Sequence, residues 1–492
     1  MSNKKNIVIP ILATFKGFWL SIAKQLASEF NIIIVLVHAS DKKRCAHLFT
    51  EFDVHIEIKD DFFSKKDFSY VDVFKEARLR EERYGETFSM IISQDRLLGR
   101  GHLFCAVKLP DVYPALWTYE RKIKSILDEF CFWEYIVDKY SPFMILSALD
   151  YIKALALITR YNKIEYLSIF KAKIGSRYIW VENEYMYNNK LVEFIKKNVK
   201  KFMEAETFSP VEYVADQPSI LELTKHPYGF MSMVLLVITY SYNEFERLIY
   251  ITYKKKIRNV EINAIYKYWA WLPIQIRRFF RYRYFLRHGK NPDELKCDKI
   301  VFFALHQEPE ITLQTQSPEF NNSLEIIGII AKSLKANTLL VVREHPLSFG
   351  IRSKDFHDCL RKMGNVILAH PEVSCWEWIK KADLVVTISG TVGVEAVFFG
   401  KPVVTFGKYQ MIRNLPTVKY VSNYDMARKT INELLCIPID DKIYEVSKQA
   451  LYHAQMEMSF DMPKLEEVNK NLDFQLDYAR AAVRNLKEHY LD

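Results

Sequence analysis

A chain of 492 residues is too long for one ordinary hydrophobic core and suits two domains with an insert. Apolar residues at 49% exclude a disordered chain, and 14 glycines beside 14% aromatic residues exclude a Gly-rich repeat architecture. The net charge of +9 is moderate for this length, so its placement matters more than its size.

In chain order, NIVIPIL (6–12) reads as a β-strand. Two lysines precede it, but the run is short, holds Pro10 and lacks a small-residue cleavage site, so it is not expected to be a signal peptide. FWLSIAKQLASEF (18–30) has the spacing of an amphipathic helix, and NIIIVLVHA (31–39) and FSMIISQ (88–94) read as strands. PFMILSAL (142–149) leads into a helical LDYIKALALITRYNK and a closing strand, EYLSIF (165–170). Short apolar runs separated by helices predict a parallel sheet covered on both faces, a Rossmann-like doubly wound domain over 1–205.

Aromatic-rich stretches over 206–295 predict a helical insert or connector. Its longest uncharged run, YGFMSMVLLVITYSYN (228–243), falls short of the roughly 18–20 apolar residues a membrane-spanning helix needs, so no segment is expected to cross a bilayer. Beyond it Lys254, Lys255, Lys256, Arg258, Lys267, Arg277, Arg278, Arg281, Arg283, Arg287 and Lys290 meet one acid, Glu261, with tryptophans, tyrosines and phenylalanines between them. The 254–290 segment suits peripheral contact with an anionic membrane, or equally a solvated linker whose cationic side chains snorkel. No nucleic-acid reader motif accompanies it, so nucleic acid is not an expected partner.

The alternation resumes over 296–440. Strands are expected at KIVFFAL (299–305), TLLVVRE (338–344), NVILAH (365–370), DLVVTIS (383–389) and KPVVTFG (401–407), with helices at SLEIIGIIAKSLKA (323–336), SKDFHDCLRKMG (353–364), CWEWIKKA (375–382) and VGVEAVFFG (392–400). This is a second doubly wound domain, and 441–492 is expected to form helices packing back on the first. Two such domains leave a cleft between the carboxyl ends of their sheets, where ligands of open α/β sheets bind.

Three strand ends of the second domain are polar. After DLVVTIS, Ser389, Gly390 and Thr391 lead into a helix whose first N–H groups and dipole suit an anion, with Glu395 one turn on for ribose hydroxyls. After TLLVVRE comes His345, directed by Pro346, which stops the strand. After KIVFFAL, His306, Gln307, Glu308 and Glu310 crowd one exit, a costly arrangement without polar partners. Each alone has a structural reading, as an N-cap or a satisfied polar group. Together they predict one ligand pocket.

LHQEPE (305–310), REHP (343–346) and SGTVGVEAVFFGKPVV (389–404) resemble the capsule polysaccharide biosynthesis proteins and related surface-carbohydrate glycosyltransferases, many of which use CMP-activated ulosonic acids such as Kdo. The resemblance implies a GT-B fold of two Rossmann-like domains. It implies that His345 with Pro346 and Ser389, Gly390 and Thr391 hold the CMP phosphate, that Glu395 holds the ribose, and that His306, Gln307 and Glu310 lie on the donor side. Glu308 stands before the proline where the family has Gln-Pro-Glu. The implied partners are a CMP-activated sugar and a glycan or glycolipid acceptor of a capsule or lipopolysaccharide.

Glycosyl transfer also needs a carboxylate near the anomeric carbon. Asp95, directly after FSMIISQ, is the expected base or nucleophile, or equally a helix N-cap, with Arg96 and Arg177 as possible carboxylate binders; Asp150, Glu182 and Glu184 are weaker candidates. No Asp-x-Asp motif stands at a strand end, so transfer is expected to need neither metal nor other cofactor. The seven cysteines (45, 105, 131, 297, 359, 375, 436) have no metal-site spacing and read as reduced core thiols of a cytoplasmic protein. Polyol-phosphate transfer, UDP-sugar epimerisation, or a non-catalytic carbohydrate- or nucleotide-binding scaffold are the competing readings.

Overall fold

A computed structural model describes residues 4–11, 16–37, 42, 53–65, 70, 72–95, 98–99, 114–147, 153–214, seven positions between 231 and 242, 276–308, 310–462 and 472–491. It contains two α/β lobes. The first sheet has the order β13-β6-β5-β4-β1-β2-β3, with β1 Asn6–Ile11, β2 Asn31–Leu36, β3 His55–Ile58, β4 Met144–Ser147, β5 Glu165–Lys171, β6 Arg177–Glu182 and β13 Ser459–Asp461. Its first five strands are parallel, and β6 and β13 are antiparallel additions.

The second sheet is parallel throughout, in the order β12-β11-β10-β7-β8-β9, with β7 Lys299–Ala304, β8 Thr338–Arg343, β9 Val366–Leu368, β10 Leu384–Thr387, β11 Val403–Thr405 and β12 Val418–Tyr420. From β7 the chain winds outward through β8 and β9, then crosses back to β10 and continues the other way. The strand order therefore reverses between β7 and β10, and a ligand crevice belongs outside their carboxyl ends.

The strands are apolar on both faces because both faces are covered. Val301, Phe303, Leu340, Val342 and Val386 enter one core cluster, while their neighbours Ile300, Phe302, Val341 and Val385 enter another. The second of these clusters runs through both lobes, joining Phe170, Ile179 and Val181 of β5 and β6 to the strands of the second sheet.

The C-terminal segment recrosses to the first lobe. The Asp441–Met458 helix packs on the Asn189–Met203 helix, and β13 then pairs with β6 in the register Ser459↔Ile179, Phe460↔Tyr178, Asp461↔Arg177. The Leu472–Tyr490 helix lies on the Lys16–Leu26 helix, and Trp180 donates its indole N–H to the Ala482 carbonyl at 3.3 Å.

Two expectations are corrected. FSMIISQ is a helix, Phe88–Gln94, capped by Thr87, whose Oγ1 accepts the Met90 N–H at 3.2 Å. Phe88, Ile91 and Ile92 are its buried apolar residues, at helical spacing; a short apolar run satisfies either period, and the cap decides. The cysteines are not all core thiols, since Cys359 and Cys436 are exposed. Among the described residues no helix is long and apolar enough to cross a membrane.

Candidate functional site

A cavity of about 650 Å³ opens at the reversal point of the second sheet. The ends of β7, β8 and β10 contribute His306, His345 with Pro346, and Ser389 with Gly390, while Thr391 and Glu395 come from the following helix, Thr391–Phe398. The three polar strand ends meet there.

The β10 end is built by close approach. Thr387 Oγ1 accepts the Gly390 N–H at 3.0 Å, and a Cβ at Gly390 would lie 3.0 Å from that oxygen and 3.2 Å from His306 Nε2. From behind, Gln410 donates to the Gly390 carbonyl at 3.3 Å and accepts the Thr405 hydroxyl at 2.6 Å. The helix then starts in the cavity wall, where its first N–H groups have no intrahelical acceptors. Among the described residues the fully buried Ser389 hydroxyl has no hydrogen-bond partner.

His306 is 4% exposed, and its Nε2 accepts the Ser389 N–H at 3.2 Å, so the ring proton sits on Nδ1. Burial, reinforced by the Lys173, Arg352 and His345 charges, pulls this imidazole from 6.5 down to about 3. His345 is likewise held at about 4, chiefly by burial, with Glu344 opposing and Arg352, Arg343 and Arg278 assisting. Both rings are neutral near pH 7.

Behind the histidines lies a buried charge network. Arg352 donates to Glu344 and to the His306 carbonyl, and Glu344 also accepts from His357 Nε2 at 2.9 Å and from the His345 N–H at 2.7 Å. Burial would raise the Glu344 carboxyl, but Arg352, His357 and the His345 N–H together hold it below the usual value. Glu308 accepts from the Ser323 N–H and hydroxyl, so it braces the β7 exit instead of facing a ligand. Glu395 is different: its burial dominates and raises its carboxyl, with Trp376, Arg343 and Lys173 opposing.

The first lobe closes one wall. Lys173, at φ +63° in the β5–β6 hairpin, donates to the Ser389 carbonyl at 3.2 Å across the lobes. Tyr213 donates to the Lys173 carbonyl at 3.2 Å and stacks on Phe398 at 4.9 Å, bringing Glu212 and Val214 into the lining. Arg343 also lines the cavity, its Nε donating to the Val373 carbonyl at 3.2 Å. The cavity thus offers two cations, a helix start and neutral imidazoles to an anion, with the Glu212, Glu310 and Glu395 carboxylates nearby.

Of the residues expected from sequence, His306, Glu310, His345, Pro346, Ser389, Gly390, Thr391 and Glu395 line the cavity. Gln307, Asp95 and Arg177 do not. Asp95 ends the Phe88–Gln94 helix and accepts the Leu98 N–H at 2.7 Å, a capping role. Arg177 is a sheet fastener, donating to Ser459 Oγ at 2.6 Å, to the Ser459 carbonyl at 2.7 Å and to Asp461. Arg96 and Asp150 lie outside the described residues. Lys173 was not anticipated, because nothing local marks a hairpin lysine as reaching another lobe. Glu457, Glu488 and His489 could together hold a cation, but they are no part of this lining.

Residues 211–411 match the family described as "Capsule polysaccharide biosynthesis protein", a span that takes in all three segments of the expected resemblance. No curated protein matches the chain. Among solved structures, it is similar to the S. aureus MnaA–UDP co-structure (13% identity, 92% of this chain and 94% of that one, TM-score 0.27). It is also similar to the beta Kdo 2,7 transferase of Thermosulfurimonas dismutans KpsC (12%, 68% and 87%, 0.30) and to a glycosyltransferase from Rickettsia africae (12%, 99% and 98%, 0.27).

Proposed function

We propose that this chain, which carries the capsule polysaccharide biosynthesis family's pattern over residues 211–411, is a metal-independent glycosyltransferase whose donor is a CMP-activated ulosonic acid. One observation supports the reading above others: at the reversal point of a parallel sheet, His345, Ser389 and the start of the Thr391–Phe398 helix face one cavity with Lys173 and Arg343.

In this reading the nucleotide phosphate lies at the helix start, where N–H groups, the Ser389 hydroxyl and the two cations hold its charge. Glu395 takes the ribose hydroxyls. The bond between the anomeric carbon and the phosphate oxygen breaks, its electron pair leaving with CMP, while an acceptor hydroxyl oxygen bonds to that carbon and gives up its proton. Asp95 is occupied as a cap away from the cavity. Glu310 is the stronger candidate for the base, since it stands in the lining at the start of the Ile311–Gln316 helix. The acceptor is a glycan or glycolipid of the cell envelope.

The test is nucleotide release by the purified chain from CMP-Kdo, other CMP-sugars, CDP-polyols and UDP-sugars. CMP release is expected, unchanged by EDTA, with His345→Ala lowering kcat/KM by about 100-fold or more. Release of CDP or UDP alone would replace the donor, complete loss in EDTA would overturn metal independence, and binding without turnover would leave a scaffold.

A further inference from the structure

The helix at residues 276–288 turns two unlike faces outward and inward. Phe279, Tyr282 and Phe285 are buried, the latter two in the core of the second lobe. The other face carries Ile276 at 41% and Phe280 at 64% exposure, beside the exposed Arg277, Arg283 and Arg287, while Leu286, on the stripe of Phe279 and Tyr282, is 36% exposed towards the helix end. No acid occurs between Glu261 and Asp293. The exposed face is therefore cationic and apolar, with no acid of its own segment to offset it.

Further exposed apolar side chains occur at described positions between 231 and 242. Met231, Leu235, Ile238 and Tyr242 are helical and 59–69% exposed, at spacings of four, three and four residues. Seven of the seventeen large apolar side chains exposed among the described residues therefore fall between 231 and 286.

We propose that the outer face of helix 276–288 docks on an anionic lipid bilayer. Arginines flanking exposed aromatic and aliphatic side chains suit the boundary between acidic headgroups and acyl chains, where the cations meet phosphates and the apolar groups leave water. The charge is of one sign, which selects an acidic surface over a second copy of this equally cationic face. The docked helix adjoins the cavity: Arg278 donates to the Pro346 carbonyl at 3.4 Å, one residue past His345.

The test is co-sedimentation of the full chain with vesicles of phosphatidylcholine alone or mixed with phosphatidylglycerol, at low and high salt. The expected result is binding to the mixed vesicles only, weakened by salt, and reduced about tenfold or more in the Arg283→Glu/Arg287→Glu double variant. Phe280→Ser is expected to weaken binding with the melting temperature unchanged. Equal binding to both vesicle types, or undiminished binding of both variants, would overturn the proposal. So would equally effective competition by glycerol phosphate at matched charge, which would indicate a free-anion site, or a dimer in lipid-free solution that Phe280→Ser dissociates.

Discussion

Arg352 stands behind the cavity, yet two strand ends depend on its guanidinium, which joins the Glu344 carboxylate after β8 to the His306 carbonyl after β7. Removing it leaves Glu344 buried and short of its cation, so Arg352→Ala is expected to cost about 3–5 kcal/mol of stability in denaturant titration. Arg352→Lys keeps the charge but loses the planar fork that reaches both acceptors. It is expected to fold and to bind donor nucleotide about tenfold more weakly, as calorimetry would show; full affinity would mean that the network only stabilises. The histidines set a pH dependence. Their folded values of about 3 and 4 lie below the ordinary 6.5, so from pH 6.5 downward the unfolded chain takes up protons that the folded one refuses. Their contribution is complete above pH 6.5 and is lost as pH falls through 4 towards 3, and Glu344 adds to the loss below its ordinary 4.5. Urea midpoints measured across this window should fall steeply for the native chain and less so for His306→Asn; a flat profile would contradict the lowered values of both rings.

At the scale of elements, the turn between β10 and its helix tolerates little volume. A Cβ at Gly407 would sit 2.3 Å from the Ile388 carbonyl oxygen, whereas one at Gly390 would press at 3.0–3.2 Å on Thr387 Oγ1 and His306 Nε2. Gly407→Ala must therefore shift backbone, with an expected cost of about 2–4 kcal/mol, while Gly390→Ala should melt near the native temperature but bind nucleotide more weakly. Similar losses of stability in both would sink this distinction. The same turn shows what could be read in advance. Strand, Ser-Gly-Thr and helix follow one another in sequence, so residues 389–395 were legible, as was the convergence of three strand ends implied by parallel winding. The run at 88–94 was not, since its apolar residues fit either period and a Thr87 cap settled it. Glu308 looked like a ligand group because a carboxylate at a strand exit does not show whether Ser323 faces it. Lys173 and Tyr213 reach the cavity only through contacts between parts of the chain far apart in sequence.

Taken whole, the molecule is not two independent domains on a hinge. One core cluster draws on β5 and β6 of the first sheet and on β7, β8 and β10 of the second, together with Ala450, Leu451 and Met458 of the Asp441–Met458 helix. Separating the lobes would expose side chains that are each worth about 1.5–3 kcal/mol when buried, so the lobes should unfold together. The last helix extends this coupling, because Leu486, fully buried, packs in the cluster of Ile7, Ile34 and Trp180. Leu486→Ala is expected to cost about 2–5 kcal/mol and, although it lies in the first lobe, to lower the unfolding of the second lobe equally. Calorimetry and nucleotide protection should then follow one shifted transition. Two transitions, with the nucleotide-protected one unmoved by the substitution, would show that the shared core does not couple the lobes.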